Sequence, residues 1–127
     1  MIVVDASAAL AALLNDGQAR QLVGNERVHA PHLIDSEVAS ALRRQVQVKR
    51  VVAADAWNAL DTWRHLVVTR YPVYGLFERI WDLRDNVSAF DASYIALAES
   101  LGCTLVTADV RLSTAARVRC QITLVRK

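Results

Sequence analysis

Residues 88–109, SAFDASYIALAESLGCTLVTAD, contain the signals of one helix and one strand, each associated with an acid. Apolar residues recur at helical spacing between Asp91 and Leu101, and Gly102 is a typical residue for the end of a helix. Residues 103–106 form a short apolar run with β-branched members, which is typical of a strand buried on both faces. Asp109 follows this strand, at the sheet edge where α/β proteins bind ligands.

The amino terminus repeats part of this arrangement. Residues 2–4, IVV, predict a second buried strand, and Asp5 follows it directly. If the two strands are neighbours in a parallel sheet, Asp5 and Asp109 lie together, and Asp91 at its helix start is a third acid. Carboxylates held close together raise one another's pKa unless a cation lies among them, and oxygen ligands suit Mg²⁺ or Mn²⁺. The sequence therefore predicts an acidic metal site.

The rest of the chain alternates strands with helices. Further strands are predicted over residues 28–30, 67–69 and 122–125, and helices over residues 8–14, 35–49, 53–66, 73–84 and 112–118, with a short helix that ends near residue 23. Such alternation indicates an α/β fold with a parallel sheet and right-handed crossovers. The 127 residues, 54% of them hydrophobic, fit a single domain over residues 1–127.

Several classes of protein are excluded by missing signals. No apolar run approaches the ~20 residues of a membrane span, and the chain starts on a strand without a leader pattern, so we expect a cytoplasmic protein without membrane contact. Cys103 and Cys120 lack metal-binding spacing and are expected to be free, partly buried thiols. The histidines suggest neither a metal site nor a triad, and the chain has no glycine-rich phosphate loop and no G-x-S-x-G motif.

Positive charge is concentrated in two parts of the chain, although the net charge is only +2. Arg43, Arg44, Lys49 and Arg50 form one block without an acid, and the chain beyond Asp109 is also basic and free of acids. Such blocks are suited to phosphate binding. For any single residue among them, a solvated surface position is the simpler explanation.

Each candidate acid also has a purely structural explanation. Ser88-x-x-Asp91 fits a capping box, Asp109 suits the cap of the next helix, and Asp5 suits a turn. Glu37 lies beside an apolar helix stripe and suits a half-exposed position. Their shared placement at strand ends or at the inner border of a helix favours a site. The other acids are interpreted as surface charge: Asp35, Asp55, Asp61, Glu78, Asp82, Asp85 and Glu99.

Three stretches resemble a known family. They are IVVDASAAL at residues 2–10, PHLIDSEVASALRR at residues 31–44 and FDASYIALAESLGCTLVTADVRL at residues 90–112. Together they are similar to the PIN-domain ribonucleases, and most similar to the VapC toxins of bacterial toxin–antitoxin pairs. The resemblance covers nearly the whole chain, and it implies a three-layer α/β/α sandwich with a central, mostly parallel sheet and an acidic Mg²⁺ site.

The resemblance also assigns residues to the site. It gives four acids and two supporting residues, which are Asp5, Glu37, Asp91 and Asp109 with Ser7 and Thr107. Asp5 and Asp91 are implied to be the main metal ligands, with Asp109 completing the site directly or through water. Glu37 is implied to bind a second ion or to orient the attacking water. Thr107 suits a metal-bound water or a carboxylate partner, but it is equally an ordinary strand residue. Phe90 stands where the family often has Tyr.

The predicted function is a Mg²⁺-dependent (or Mn²⁺-dependent) endoribonuclease, the toxin of a type II toxin–antitoxin pair that inhibits translation and growth. Such hydrolysis leaves a 5′-phosphate without needing the ribose 2′-hydroxyl. The implied partners are RNA, a VapB-like antitoxin with an amphipathic segment, and a second copy of the chain. Two alternatives remain at this point. One is an aspartate-based phosphatase with Asp5 as nucleophile, although Ser7 stands where its second acid is usual. The other is a PIN-like interaction module with little catalysis.

The aromatic residues of two predicted helices also suggest an interface. Trp57, Trp63, Phe77 and Trp81 provide more large apolar surface than a small sandwich needs. Two of the four are expected in the core, and the remainder are expected to contribute to a homodimer interface.

Overall fold

Five parallel strands form one sheet in the computed structural model, which describes residues 1–127. The strands are β1 (Ile2–Val4), β2 (Val28–Pro31), β3 (Val68–Tyr71), β4 (Thr104–Thr107) and β5 (Ile122–Leu124). Their order across the sheet is β3-β2-β1-β4-β5. The predicted α/β class with a mostly parallel sheet is therefore confirmed, and the sheet is parallel at every pairing.

The first strand lies at the centre of the sheet, as its apolar sequence requires. Ile2 is in register with Val28 on one side and with Thr104 on the other. All three residues of β1 are buried, because helices cover both faces of the sheet.

Seven α-helices connect or follow the strands. They are α1 (Ala6–Leu14), α2 (Gln18–Asn25), α3 (Ile34–Gln47), α4 (Ala53–His65), α5 (Phe77–Asp82), α6 (Ala89–Leu101) and α7 (Val110–Ser113). From β1 the chain moves to β2 and β3 in one direction, and from β3 it crosses back to β4 on the other side of β1. Because crossovers are right-handed, this reversal puts α5 and α6 on the sheet face opposite α1 to α4. The sheet therefore lies between two layers of helices, which is the three-layer α/β/α architecture that the resemblance implied.

The packing agrees with these layers. Helix α1 packs against α2, α3 and α4, whereas α5 packs against α6, and α6 lies on β1, β2 and β4. The apolar stripe of α3 is buried, as its four-residue spacing predicts, and so is almost the whole middle of α6 from Ala92 to Ala98. Gly102 ends α6 in the left-handed conformation, with φ of +66°, where a side chain would be strained.

The first helix begins earlier than the sequence suggested. The sequence predicted a helix over residues 8–14, but α1 starts at Ala6 and Asp5 is its N-cap. The Asp5 carboxylate accepts a hydrogen bond from the Ala8 amide, which satisfies one of the free donors at the helix start. A strand that passes directly into a helix leaves no room for a turn, so the residue after the strand becomes the cap.

Two other helices are shorter than predicted. The helix predicted over residues 73–84 is a 3₁₀ turn at Tyr74–Leu76 followed by the short α5. Gly75 lies in that turn and lowers its helix propensity. The helix predicted over residues 112–118 ends at Ser113. Arg117 has a positive φ, and its carbonyl accepts a hydrogen bond from Arg79, which fixes the chain away from the helical path.

Two acids that were expected to be surface charges have structural roles. Glu99 is largely buried and accepts hydrogen bonds from Arg79 and from the Arg119 amide. Burial alone would raise the pKa of Glu99, but these donors hold the pKa below its usual value. Asp35 accepts hydrogen bonds from Arg70 and from the indole of Trp63. The surface interpretation is therefore wrong for Glu99 and incomplete for Asp35.

The cysteines agree with the sequence prediction, since Cys103 and Cys120 are both free and partly buried. Among the helices, none has the length and apolar character that a membrane crossing would require.

Candidate active site

The strand order creates a crevice at the carboxyl ends of β1 and β4. These strands are neighbours, but the chain leaves β1 for one side of the sheet and reaches β4 from the other. Such a reversal point is where open α/β sheets bind ligands. Asp5 follows β1 and its amide bonds to the Val106 carbonyl of β4, while Asp109 lies two residues beyond β4. The prediction that these two strands are neighbours in a parallel sheet is confirmed.

Asp5 is buried and held by three donors. One carboxylate oxygen accepts from the Ser7 hydroxyl at 2.6 Å and from the Ala8 amide at 2.9 Å, and the other accepts from the Thr107 hydroxyl at 2.5 Å. Burial raises the pKa of Asp5 against the lowering effect of these donors, and the charge on Asp91 raises it further. Asp5 is therefore rigidly oriented, and its charge is costly unless a cation is near.

The two predicted supporting residues position Asp5 from two elements, Ser7 from the start of α1 and Thr107 from the end of β4. The Ser7 hydroxyl also accepts from the Ala108 amide at 2.8 Å, and the Thr107 hydroxyl accepts from the Asp109 amide at 3.0 Å. Each hydroxyl has one proton, and the geometry directs both protons to Asp5. Their roles at a bound metal stay a prediction, but Thr107 is more than an ordinary strand residue, because its hydroxyl connects Asp5 with the backbone of Asp109.

Glu37 enters the site from α3 and is held by a residue of α6. The Tyr94 hydroxyl is buried and donates to the Glu37 carboxylate at 2.5 Å. Burial raises the pKa of Glu37, the hydrogen bond from Tyr94 opposes this, and the charges on Asp91 and Asp5 raise it again. The position of Glu37 beside the buried stripe, inferred from the sequence, is confirmed by its intermediate exposure.

Replacing Tyr94 with phenylalanine tests this contact. We expect the free energy of unfolding to fall by about 1–2 kcal/mol, because a buried hydrogen bond to a charged group is lost. Glu37 also loses its orientation, so any cleavage reaction catalysed at this site should slow by about tenfold at unchanged substrate affinity. Urea unfolding and steady-state kinetics measure the two effects. A variant with wild-type stability and wild-type cleavage would show that the hydrogen bond is unimportant.

Asp91 lies in the first turn of α6, but it is not the cap of that helix. Ser88 is the N-cap, and its hydroxyl accepts from the Asp91 amide at 3.1 Å. The capping alternative therefore applies to the Asp91 backbone and leaves its carboxylate for another task. Burial and the charge on Asp109 raise the pKa of Asp91, while Arg111 and the Ser88 hydroxyl lower it.

Asp109 combines a structural contact with its place at the crevice. Its carboxylate caps α7 by accepting from the Arg111 amide at 2.9 Å, and it also accepts from the Arg111 guanidinium at 3.1 Å. Burial would raise the pKa of Asp109, but Arg111 holds the pKa below its usual value. The capping alternative is thus correct for Asp109, and Arg111 places one positive charge at the border of the acidic group.

The four acids form one electrostatic group around Asp91. The charge on Asp91 raises the pKa of Asp5 and of Glu37, and the charge on Asp109 raises that of Asp91. The side chains of this structure do not include a group of three acidic, histidine or cysteine residues arranged to hold a metal ion. The donor set nevertheless fits a hard divalent ion, because mutually repelling carboxylates gain most from a cation.

Tyr94 and Arg111 are the site residues that the sequence alone did not reveal. Tyr94 lies three residues after Asp91, so the helical repeat puts both on neighbouring positions of one face, and this spacing was an available signal. The contact of Arg111 with Asp109 follows from local capping geometry at a very short helix, for which the sequence carries little information.

Comparisons with known proteins support the same architecture. Residues 2–118 match the PIN domain family. PAE2754 from Pyrobaculum aerophilum superposes with a TM-score of 0.72 at 27% identity, covering 95% of this chain and 81% of that one. VapC20 of Mycobacterium tuberculosis, described as a sarcin-ricin loop cleaving toxin, superposes at 0.66 with 23% identity over 94% and 99% of the two chains. This chain belongs to the PIN-domain family.

The curated relatives are more specific. Ribonuclease VapC9 of M. tuberculosis is 69% identical over 98% of both chains. Ribonuclease VapC1 of the same species is 43% identical over 98% of this chain and 97% of its own. Within the family this chain groups with the VapC ribonucleases, which makes it a nuclease enzyme.

Proposed function

We propose that this chain is a metal-dependent endoribonuclease whose site consists of Asp5, Glu37, Asp91 and Asp109, acting as the toxin of a toxin–antitoxin pair on cellular RNA in the cytoplasm. The observation that carries the proposal is the electrostatic group centred on Asp91 at the crevice between β1 and β4. Burial, with mutual repulsion as a smaller cause, raises the pKa of three of the four acids, and a single cation in that crevice would offset both effects.

The protein groups have separate tasks in the proposed reaction. Asp5 and Asp91 would hold Mg²⁺ or Mn²⁺, with Asp109 completing the site directly or through water. When bound, such an ion lowers the pKa of the attacking water and neutralises charge on the scissile phosphate. Glu37 has a raised pKa and a fixed orientation, which suit it to orient that water and to accept its proton. Ser7 and Thr107 keep Asp5 in place during the reaction.

The phosphatase alternative conflicts with the contacts of Asp5. An aspartyl phosphatase usually has a second acid two residues after its nucleophile, but Ser7 stands there and its hydroxyl donates to Asp5. The alternative of a module with little catalysis conflicts with the complete acid set and with 69% identity to a ribonuclease.

Cleavage assays and expression test the proposal together. With Mn²⁺ or Mg²⁺ the purified chain should cleave RNA to fragments that have 5′-phosphate and 3′-hydroxyl ends, and the Asp5→Asn variant should not. Expression without a partner should arrest growth, and co-expression of a cognate antitoxin should relieve the arrest. Fragments with 2′,3′-cyclic ends would contradict direct hydrolysis. Harmless overexpression of an active nuclease would contradict the toxin role alone.

A groove beside the site suits the proposed antitoxin. It has a volume of about 1160 Å³ and runs between α1, α3 and α4, with apolar walls that include Leu10, Leu14 and Val51. Ser7, which contacts Asp5, lies at one end of the groove. An amphipathic segment bound there would bury its apolar face and bring a basic side chain next to the acids.

The proposed homodimer rests on exposed aromatic residues. Of the four that the sequence singled out, only Trp63 is buried, so the expectation of two core residues is wrong. The buried Trp63 indole donates a hydrogen bond to Asp35, whereas Phe77 and Trp81 lie one turn apart on α5 and are 60% and 68% exposed. Trp57 is also exposed, but it belongs to α4 on the opposite layer. Because Phe77 and Trp81 together form one exposed apolar patch on α5, whereas Trp57 is alone on α4, the α5 pair is the better candidate for the dimer contact.

Light scattering tests the dimer. The wild-type chain should be a dimer at micromolar concentration, and a Phe77→Ser, Trp81→Ser double variant should be a monomer, because the apolar contact is removed. Trp57→Ser is the matched control and should stay dimeric. A monomeric wild type at the same concentration would overturn the proposal. The proposal would also fail if Trp57→Ser were a monomer while the Phe77→Ser, Trp81→Ser double variant stayed a dimer.

A further inference from the structure

A second cavity opens from the acidic site along the outer face of α3. It has a volume of about 650 Å³, and its lining includes Ala6, next to Asp5, and Glu37. Further along the same helix its wall is formed by Arg43 and Arg44. The cavity therefore connects an acid of the proposed site with two guanidinium groups.

The two arginines are not used by the fold. No carboxylate lies within ion-pair distance of Arg43 or Arg44, and both side chains are exposed. Five of the other eleven arginines do have carboxylate partners, namely Arg64, Arg70, Arg79, Arg111 and Arg117. Two adjacent positive charges beside an acidic crevice are therefore free to bind an anion.

Helix geometry fixes their distance from the site. Arg44 is seven residues, or about two turns, after Glu37, which places it about 10 Å further along the helix axis on nearly the same face. Arg43 lies about 9 Å along the axis and is turned to the neighbouring side. If the scissile phosphate of an extended strand lay at the acids, these distances would bring the guanidinium groups beside neighbouring phosphates of the same strand.

We propose that Arg43 and Arg44 form a phosphate track that binds the backbone of single-stranded RNA next to the cleaved bond. The inference rests on the proposed function, since it assigns the approach of the substrate to that site. Guanidinium groups match phosphate oxygens through paired hydrogen bonds, and each phosphate that they neutralise releases condensed counterions from the RNA. The track binds through charge and carries no base specificity.

The test separates RNA binding from cleavage. A fluorescent, unstructured RNA oligonucleotide is titrated with the protein in EDTA, at KCl concentrations between 50 and 200 mM, and anisotropy gives the Kd. The Arg43→Gln, Arg44→Gln double variant should bind about tenfold more weakly at low salt. Its slope of log Kd against log salt should be smaller by about 1.4, because each single-strand phosphate contact contributes about 0.7.

Arg27→Gln is the matched control. Arg27 is exposed and precedes β2, at the amino edge of the sheet opposite the acidic site, and its side chain has no carboxylate partner. This variant should bind RNA like the wild type. In the presence of metal, the double variant should raise KM by about tenfold with little change in kcat, since the acids are untouched.

Three outcomes would overturn the track. They are an unchanged salt slope in the double variant, an equal loss of binding in Arg27→Gln, or a double variant that loses affinity for a polyglutamate peptide but keeps its affinity for RNA. The binding measurement needs neither metal nor turnover. It therefore still decides the inference if the wild type proves inactive, and a changed slope without cleavage would contradict the proposed function and not the track.

Discussion

The Asp91→Asn variant is expected to lose RNA cleavage by a factor of about 10³ or more, which corresponds to about 4 kcal/mol of transition-state stabilisation. Asp91 is the acid whose charge affects the pKa of both Asp5 and Glu37, so its removal lowers the attraction of the whole group for a cation. Asparagine keeps the size of the side chain, and Ser88 continues to cap α6. Initial cleavage rates in millimolar Mn²⁺ measure the effect.

The fold should survive this substitution. Because the folded-state pKa of Asp91 is raised above 3.8, its negative charge destabilises the metal-free protein at neutral pH. In EDTA at pH 7 the variant should therefore melt at the same temperature as the wild type or higher. Any advantage should disappear as the pH falls below 3.8, where the carboxyl becomes protonated in both the folded and the unfolded chain.

Asp85→Asn is the matched control, six residues earlier in the chain. Its side chain is exposed, with no ion pair, and lies outside the acidic group, so cleavage should stay within twofold of the wild type. Equal activity of wild type, Asp91→Asn and Asp85→Asn would refute the assignment of the site. An unfolded Asp91→Asn variant would contradict the electrostatic argument for its stability.

Metal binding is expected to produce the second large effect. If Mn²⁺ is present at a hundredfold excess over its Kd, the fold gains about 2.7 kcal/mol by mass action. For a chain of this size, that corresponds to an increase in Tm of about 10 °C. Calorimetry in EDTA and in millimolar Mn²⁺ measures the shift, and EDTA should also abolish cleavage.

The same experiment has an internal comparison. Asp91→Asn should show a much smaller shift in Tm than the wild type, because the group then has fewer charged ligands. Asp85→Asn should show the full shift. A wild-type Tm that is equal in EDTA and in Mn²⁺ would argue against a metal site, and an equal shift in all three proteins would place the metal elsewhere.

The alternation of strands and helices was readable from the sequence, because short-range patterns determine it. The apolar runs at Ile2–Val4 and residues 103–106 form adjacent parallel strands, and Gly102 ends α6 as predicted. The helix starts at Ala89, two residues before Asp91, where the sequence placed its start. The boundaries were less predictable where tertiary contacts override local preference. Arg79 fixes the backbone at Arg117, for example, and thereby opposes the longer helix that the local sequence favours.

The sequence by itself placed an acid after each of two buried strands and a third in the first turn of a helix. Only the tertiary structure decided which residues surround these acids. The hydrogen bond from Thr107 to Asp5 joins residues 102 positions apart, and that from Tyr94 to Glu37 joins residues 57 positions apart. Such contacts depend on the strand order and on the packing of α6 against the sheet, which no local pattern encodes. The burial that raises the pKa of Asp5 arises in the same way, because it is produced by the assembled layers.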